Sequence, residues 1–222
     1  MSQQNMITQF NDGKHDEAIH RAVQAIDEHP KDPKRYATLA TMLIAIKAYD
    51  EATQLLQQAL GLFPDDKELV YNFGLLQFAQ GNWTLAVQYF NQLAKQQSAL
   101  GTDAQYMIAL SYQHAEQPQK ALAFALTAYE ANPARLDASL LCAELLLGLG
   151  AFQEAAERLA PQLRTKNAQV LFTYGMALLG MGQDGQQYLD EAKRLDPDGY
   201  DQKANQVRDI AGFLKQQGVS DE

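Results

Sequence analysis

Residues 33–66 read PKRYATLATMLIAIKAYDEATQLLQQALGLFPDD, and this stretch decides the fold. Its first half carries apolar residues at the i, i+3, i+4, i+7 spacing of one helical face: Tyr36, Leu39, Ala40 and Leu43. After a short polar turn, its second half carries a similar stripe: Ala52, Leu55, Leu56, Ala59 and Leu60. The segment Phe63-Pro64-Asp65-Asp66 then ends the second helix, and its aspartates can cap the next one. The stretch therefore predicts a pair of amphipathic helices.

This pair recurs along the chain with a nearly constant period. Alanines that follow two short polar or charged residues in most repeats are separated by 34, 34, 35 and 34 residues: Ala18, Ala52, Ala86, Ala121 and Ala155. Pro30 and Pro64 share the 34-residue interval. An ordinary helical bundle would explain the amphipathic faces but would leave the period unexplained. The sequence therefore predicts an all-α array of helical repeats.

The period, the early alanine of each second helix and the proline near its end resemble the tetratricopeptide repeat (TPR) family. The resemblance implies a right-handed α-solenoid of about six helix–turn–helix units, followed by a capping helix. We expect one solenoid domain over residues 1–217, with units at about 1–32, 33–66, 67–101, 102–135, 136–167 and 168–200, a capping helix at 201–217 and a disordered tail at 218–222. Pro161 is expected to kink or end the second helix of the fifth unit.

Small residues recur where the paired helices must approach closely. In the first helices these residues are Ala40, Gly74, Ala109, Ala143 and Gly175. In the second helices they are Ala52, Ala86, Ala121 and Ala155. Larger residues such as Tyr36, Phe73, Phe90 and Leu159 are expected to fill the spaces between them.

Motifs that could carry catalysis have structural explanations in this sequence. The G-x-G-x-x-G match at Gly180–Gly185 follows a helical run instead of a strand, so we interpret it as a turn. Cys142 falls on a core-facing stripe, and the four histidines have no metal-ligand spacing. Paired acidic residues recur at expected helix starts, where negative charge is favourable against the helix dipole: Asp16-Glu17, Asp50-Glu51, Asp65-Asp66 and Asp190-Glu191. We therefore predict no enzymatic activity, no cofactor and no metal site.

Charge and cysteine content favour particular partners and a particular compartment. The chain has 18 Lys and Arg residues against 27 Asp and Glu residues, a formal net charge of −9. That charge disfavours nucleic acids and anionic membranes as partners. With one cysteine, the chain forms no intramolecular disulfide. The N-terminus has no signal-peptide pattern and no apolar run approaches about 20 residues, so we expect a cytoplasmic location.

What the resemblance implies for function is a concave groove lined by the first helices. From Glu68 onward these helices, expected at 68–80, 102–114, 136–148 and 168–182, contain no Lys or Arg. They carry aromatic and acidic residues at equivalent positions, so we predict an apolar groove with an acidic margin. Its predicted residues are Glu68, Tyr71, Asn72, Leu75, Phe78, Asp103, Tyr106, Leu110, Gln113, His114, Asp137, Leu140 and Glu144.

The leading functional hypothesis is a protein–protein interaction scaffold or adaptor that binds a peptide or helix of a partner. An apolar or basic segment would suit the groove best. The alternative is a structural subunit or a client chaperone whose groove is buried by self-association or by a permanent partner. Some family members grip C-terminal carboxylates with Lys, Arg and Asn on the inner helices, but this chain keeps only Asn72 of such a set.

Overall fold

A computed structural model describes residues 3–205 of the chain, and all regular secondary structure in that range is helical. The helices are α1 (Gln3–Asn11), α2 (His15–Glu28), α3 (Pro33–Ala45), α4 (Tyr49–Leu62), α5 (Lys67–Ala79), α6 (Trp83–Asn91), α7 (Ala99–His114), α8 (Pro118–Ala131), α9 (Leu136–Gly148), α10 (Phe152–Leu159), a 3₁₀ helix (Ala160–Thr165), α11 (Ala168–Gly180) and α12 (Gln186–Leu195). Residues 197–205 are also helical. The predicted all-α repeat fold is therefore confirmed.

The helices form six consecutive pairs, so odd-numbered helices are the first and even-numbered helices the second of each repeat. The chain divides between Phe124 and Ala125 into two compact units. Unit 1 contains α1 to α7 and the start of α8. Unit 2 contains the rest of α8 and the helices that follow it.

The turn inside each pair has one residue with a positive φ. These residues are Gly13, Lys47, Gly81, Glu116, Gly150 and Gly182, with φ between 55° and 81°. The left-handed conformation lets the chain reverse immediately after the first helix, and glycine adopts it without steric cost. Gly182 lies within the G-x-G-x-x-G match. The match is therefore a turn between two helices, as predicted from the helical run that precedes it.

Small residues let the two helices of a pair pack closely. Every alanine predicted for this purpose is fully buried: Ala40, Ala52, Ala86, Ala109, Ala121, Ala143 and Ala155. A Cβ added to Gly74 of α5 would lie 2.6 Å from the ring of Phe90 of α6. A Cβ added to Gly175 of α11 would lie 3.0 Å from Leu189 of α12. Glycine at these positions makes room for a large side chain of the partner helix.

The repeat boundaries deviate from the regular period at three places. Helix α6 has nine residues and ends at Asn91, and α7 begins at Ala99, before the expected boundary at residue 102. Helix α10 ends at Leu159, two residues before Pro161, and the chain continues as the 3₁₀ helix Ala160–Thr165. The last helix begins at 197, because Asp196 accepts a hydrogen bond from the Gly199 amide (3.0 Å). Residues 206–217 of the predicted capping helix and the predicted tail 218–222 lie outside the described residues.

Among the described helices, none combines the length and the apolar character that crossing a bilayer requires.

Candidate functional site

The first helices of unit 1 surround a pocket of about 460 Å³. Four of them contribute to its walls, and most of the lining side chains are apolar. The main contributors are Ile7 and Phe10 of α1, Ala37, Thr41, Met42 and Ala45 of α3, Glu68, Tyr71 and Asn72 of α5, and Leu100 of α7. A concave apolar site of this volume is in the range that proteins use to bind side chains of a ligand.

The repeat register explains why a pocket opens here. Ala37 and Tyr71 are both the fifth residue after the N-cap of their helix, which is Asp32 for α3 and Asp66 for α5. Alanine at the earlier position leaves space beside the ring of Tyr71. Ile7, Thr41 and Leu75 are likewise separated by 34 residues, and the first two line the pocket. The pocket is thus a consequence of a small residue at a repeated inner position.

The hydrogen bonds of the lining residues make the walls effectively apolar. Asn72 is buried, and its Nδ2 donates to the carbonyl oxygen of Ala37 at 2.7 Å, which joins α5 to α3. The Thr41 hydroxyl donates to the carbonyl oxygen of Ala37 at 3.0 Å, so it also has a partner within the protein. Glu68 is exposed, and it is the only charged residue among those that line the pocket.

The other predicted groove residues of unit 1 lie outside this pocket. Leu75, Phe78, Tyr106 and Leu110 pack against the core that contains Phe90. His114 is exposed and stacks on Trp83 with ring centroids 4.8 Å apart, and Phe78 meets both rings edge-on. Asp103 and Gln113 are half-buried. The sequence pattern therefore selected residues of two kinds, some that line the pocket and some that stabilise the packing next to it.

In unit 2 the predicted groove residues are engaged by the chain itself. Arg135 donates to both carboxylate oxygens of Asp137 at 2.7 and 2.9 Å, and these hydrogen bonds hold the pKa of Asp137 below its ordinary value. Leu140 is 8% exposed and belongs to the core. Glu144 accepts a bond of 2.6 Å from Nζ of Lys203. The bond from Lys203 joins Glu144 of α9 to the helix at 197–205.

The sequence pattern selected three of the twelve residues that line the pocket and missed nine: Ile7, Phe10, Asn11, Ala37, Thr38, Thr41, Met42, Ala45 and Leu100. The cation-free pattern was sought from Glu68 onward because α3 contains Lys34 and Arg35, although the structure begins α5 at Lys67. A usable signal existed, since subtracting one period from Tyr71 and Leu75 leads to Ala37 and Thr41. Register equivalence is thus a better guide to the pocket than the absence of cations.

The side chains that could suggest catalysis are placed differently from a reactive site. Cys142 is fully buried, and burial raises the pKa of its thiol to about 11. A thiol in that state is a poor nucleophile near neutral pH. Within the described residues, no three His, Cys, Asp or Glu side chains come together as a metal site.

Comparison with known proteins identifies the repeat. The tetratricopeptide repeat family profile matches residues 10–59 and 43–109. Among curated proteins, no sequence matches the chain. The matched residues include α2 to α6, and therefore α3 and α5, two of the four helices that line the pocket of unit 1.

Solved structures share the fold along most of the chain. PilF from Pseudomonas aeruginosa is 16% identical with a TM-score of 0.77, covering 93% of this chain and 95% of its own. PilW, a type IV pilus biogenesis factor, is 19% identical with a TM-score of 0.74, covering 88% and 92%. YrrB, a TPR protein with an unusual peptide-binding site, is 21% identical with a TM-score of 0.63, covering 83% and 97%. At these identities the likeness concerns the fold.

Proposed function

Because this chain belongs to the tetratricopeptide repeat family, we propose that it is a non-catalytic scaffold or adaptor that holds a partner protein in the pocket of unit 1. The pocket is the observation that carries the proposal. Its walls come from four first helices, so its shape is set by the packing of the repeats and not by a loop. A preformed surface of this kind binds without a large ordering cost.

The chemistry of the pocket favours an apolar segment with a nearby cation. Its lining supplies Ile7, Phe10, Met42 and Tyr71 for apolar contacts, and Glu68 for a charge at the margin. The net charge of −9 adds a field that attracts basic segments. The single cysteine supports a cytoplasmic location for this encounter, which cell fractionation would check.

The test is to place a bulky cation inside the pocket. Thr41 and Ala45 are exposed positions of α3 that line it, so Thr41→Arg and Ala45→Arg change the pocket while the helix remains favourable. Gln54 is an exposed residue of α4, and Gln54→Arg is the matched control. Affinity capture from native lysate, read by mass spectrometry, would compare the four proteins after circular dichroism has shown equal helicity.

We expect both pocket variants to lose the same captured protein by at least about tenfold, the equivalent of ~1.4 kcal/mol of binding free energy. The cause is a bulky guanidinium group that fills the pocket and that the bound segment would have to desolvate. The Gln54→Arg control should capture that protein normally. Identical capture by all four proteins would contradict binding in this pocket.

A second candidate is that the pocket is permanently covered in a larger assembly, as in a structural subunit or a client chaperone. Its apolar lining and the 36% exposure of Ile7 favour this reading, because such surfaces are often covered. Sedimentation over a range of concentrations distinguishes the two. A dimer that is lost in the Thr41→Arg variant would favour permanent coverage by a second copy.

A further inference from the structure

The helix at 197–205 lies against the first helices of unit 2. The ring of Tyr200 meets Phe172 of α11 edge-on, with centroids 5.3 Å apart. Nζ of Lys203 lies 2.6 Å from Oε1 of Glu144 on α9 and 6.0 Å from the centroid of Phe172. The Lys203 ammonium is therefore held between a carboxylate and an aromatic ring, two groups that both attract cations.

The residues that hold Lys203 are register equivalents of residues that line the pocket of unit 1. Glu144 is the ninth residue after its N-cap Arg135, as Thr41 is after Asp32. Phe172 is the fifth residue after its N-cap Asn167, as Tyr71 is after Asp66. Unit 2 thus has an inner surface at the same repeat positions, but with a carboxylate where unit 1 has a threonine.

We propose that Glu144 and Phe172 form a second binding subsite, which takes a lysine or arginine side chain of a partner and is occupied by Lys203 in the resting chain. The inference rests on the proposed function, since it names the chemistry of a partner that such a scaffold would hold. Lys203 acts as an internal competitor, and a partner must displace it to bind unit 2.

The contacts that keep Lys203 in place are weak enough to be displaced. The Lys203 and Glu144 side chains are 27% and 36% exposed, and a partly exposed ion pair stabilises a structure little. The other anchors of this helix include Tyr200 and Ala204, which pack against the core around Phe172, and an exposed pair between Lys193 and Asp201 at 3.5 Å, so displacement of the Lys203 side chain leaves the helix attached. A partner that brings its own cation replaces the Glu144 contact without leaving a carboxylate unpaired.

The test measures access to the subsite in the full chain. The probe is a fluorescent peptide with the sequence of residues 196–217, which carries the lysine of position 203 and binds in trans when the internal lysine is absent. Fluorescence anisotropy would give its dissociation constant for the wild type, for Lys203→Ala and for Asn205→Ala, an exposed control on the same helix. We expect Lys203→Ala to bind the peptide about two- to fivefold more tightly than the wild type, because the partly exposed internal lysine no longer competes for Glu144. The control should match the wild type.

Charge exchange shows whether Glu144 is the receiving group. On the Lys203→Ala background, Glu144→Lys should abolish the gain, and a peptide carrying the Lys203→Glu change should recover it. Equal peptide affinity for wild type and Lys203→Ala, or a gain that survives Glu144→Lys, would overturn the proposal. Thr41→Arg should leave peptide binding unchanged, so failure of the subsite and failure of the unit 1 pocket are separate results.

Discussion

At the scale of single residues, the close fit of Gly74 against Phe90 makes a sharp prediction about stability. A methyl group at position 74 would lie 2.6 Å from Cε1 of Phe90, whose side chain is fully buried and packs against Tyr71 at 5.3 Å. The ring has little space into which it can move. We expect Gly74→Ala to lower the free energy of unfolding by about 1–3 kcal/mol, as overpacked cores do. Urea unfolding followed by circular dichroism would measure it.

Gly61 provides the matched comparison, because it also lies in a helix but a Cβ there meets nothing within 4 Å. Gly61→Ala should leave stability unchanged or raise it by up to ~1 kcal/mol, since alanine favours the helix. If both substitutions had the same effect, close packing of Phe90 would not be the reason for glycine at position 74.

Cys142 predicts a dependence of stability on pH. Burial raises the pKa of its thiol in the folded chain to about 11, against an ordinary value of 9.0. Below pH 9 both folded and unfolded thiols are protonated, so this contribution to stability is fully present. Above pH 9 the unfolded thiol ionises first, which favours unfolding. The stability of wild type relative to Cys142→Ala should therefore fall between pH 9 and pH 11.

Urea unfolding of both proteins at a series of pH values would test this expectation. The comparison with Cys142→Ala cancels the titration of tyrosines and lysines that the two proteins share. A stability difference that stays constant from pH 8 to pH 11 would show that the folded thiol ionises as easily as the unfolded one.

At the scale of helices, the regular part of the fold could be predicted because each repeat carries its own pattern. The 34-residue period predicted where the helix pairs lie. The recurring alanines predicted where the paired helices pack together, and these alanines are buried. The turns are harder to predict from the sequence, because Lys47 and Glu116 occupy the left-handed position that glycine occupies in the other repeats. Periodicity thus determines where a helix pair lies more reliably than any single turn residue does.

Helix ends depended on packing that no local pattern encodes. Gly101 approaches the backbone carbonyl of Gln96 so closely that a side chain would collide with it, and this contact accompanies the early start of α7. Asp190 and Glu191 were expected at a helix start, but they lie in the middle of α12. Asp190 accepts from the side chain of Gln186 instead of capping the helix. The shortened sixth repeat caused that error.

The candidate site was predictable only in part, because helix rotation decides which inner residues remain accessible. Glu68 and Tyr71 line the pocket, whereas Phe78 completes a ring cluster with Trp83 and His114. The contact between Glu144 and Lys203 joins residues 59 positions apart in the sequence. No spacing rule connects such residues, so the second subsite required the structure.

At the scale of the whole molecule, the net charge predicts which macromolecules the chain does not bind. With 18 basic and 27 acidic residues, its average field repels both duplex DNA and anionic lipid surfaces. Repulsion extends furthest at low ionic strength, where the Debye length exceeds the ~10 Å of 0.1 M salt. A basic protein gains affinity for phosphates as salt falls, whereas this chain should gain none.

We therefore expect no binding to a labelled DNA duplex by anisotropy, and no sedimentation with anionic vesicles, at about 50 mM salt where nonspecific attraction is strong. A basic protein of similar size serves as the positive control for both assays. Binding that weakens with added salt would mean that a local group of cations outweighs the total charge of −9. The whole surface would then show no preference for basic partner segments. The preference would hold only at Glu68 and Glu144, where a carboxylate lies beside an apolar or aromatic wall.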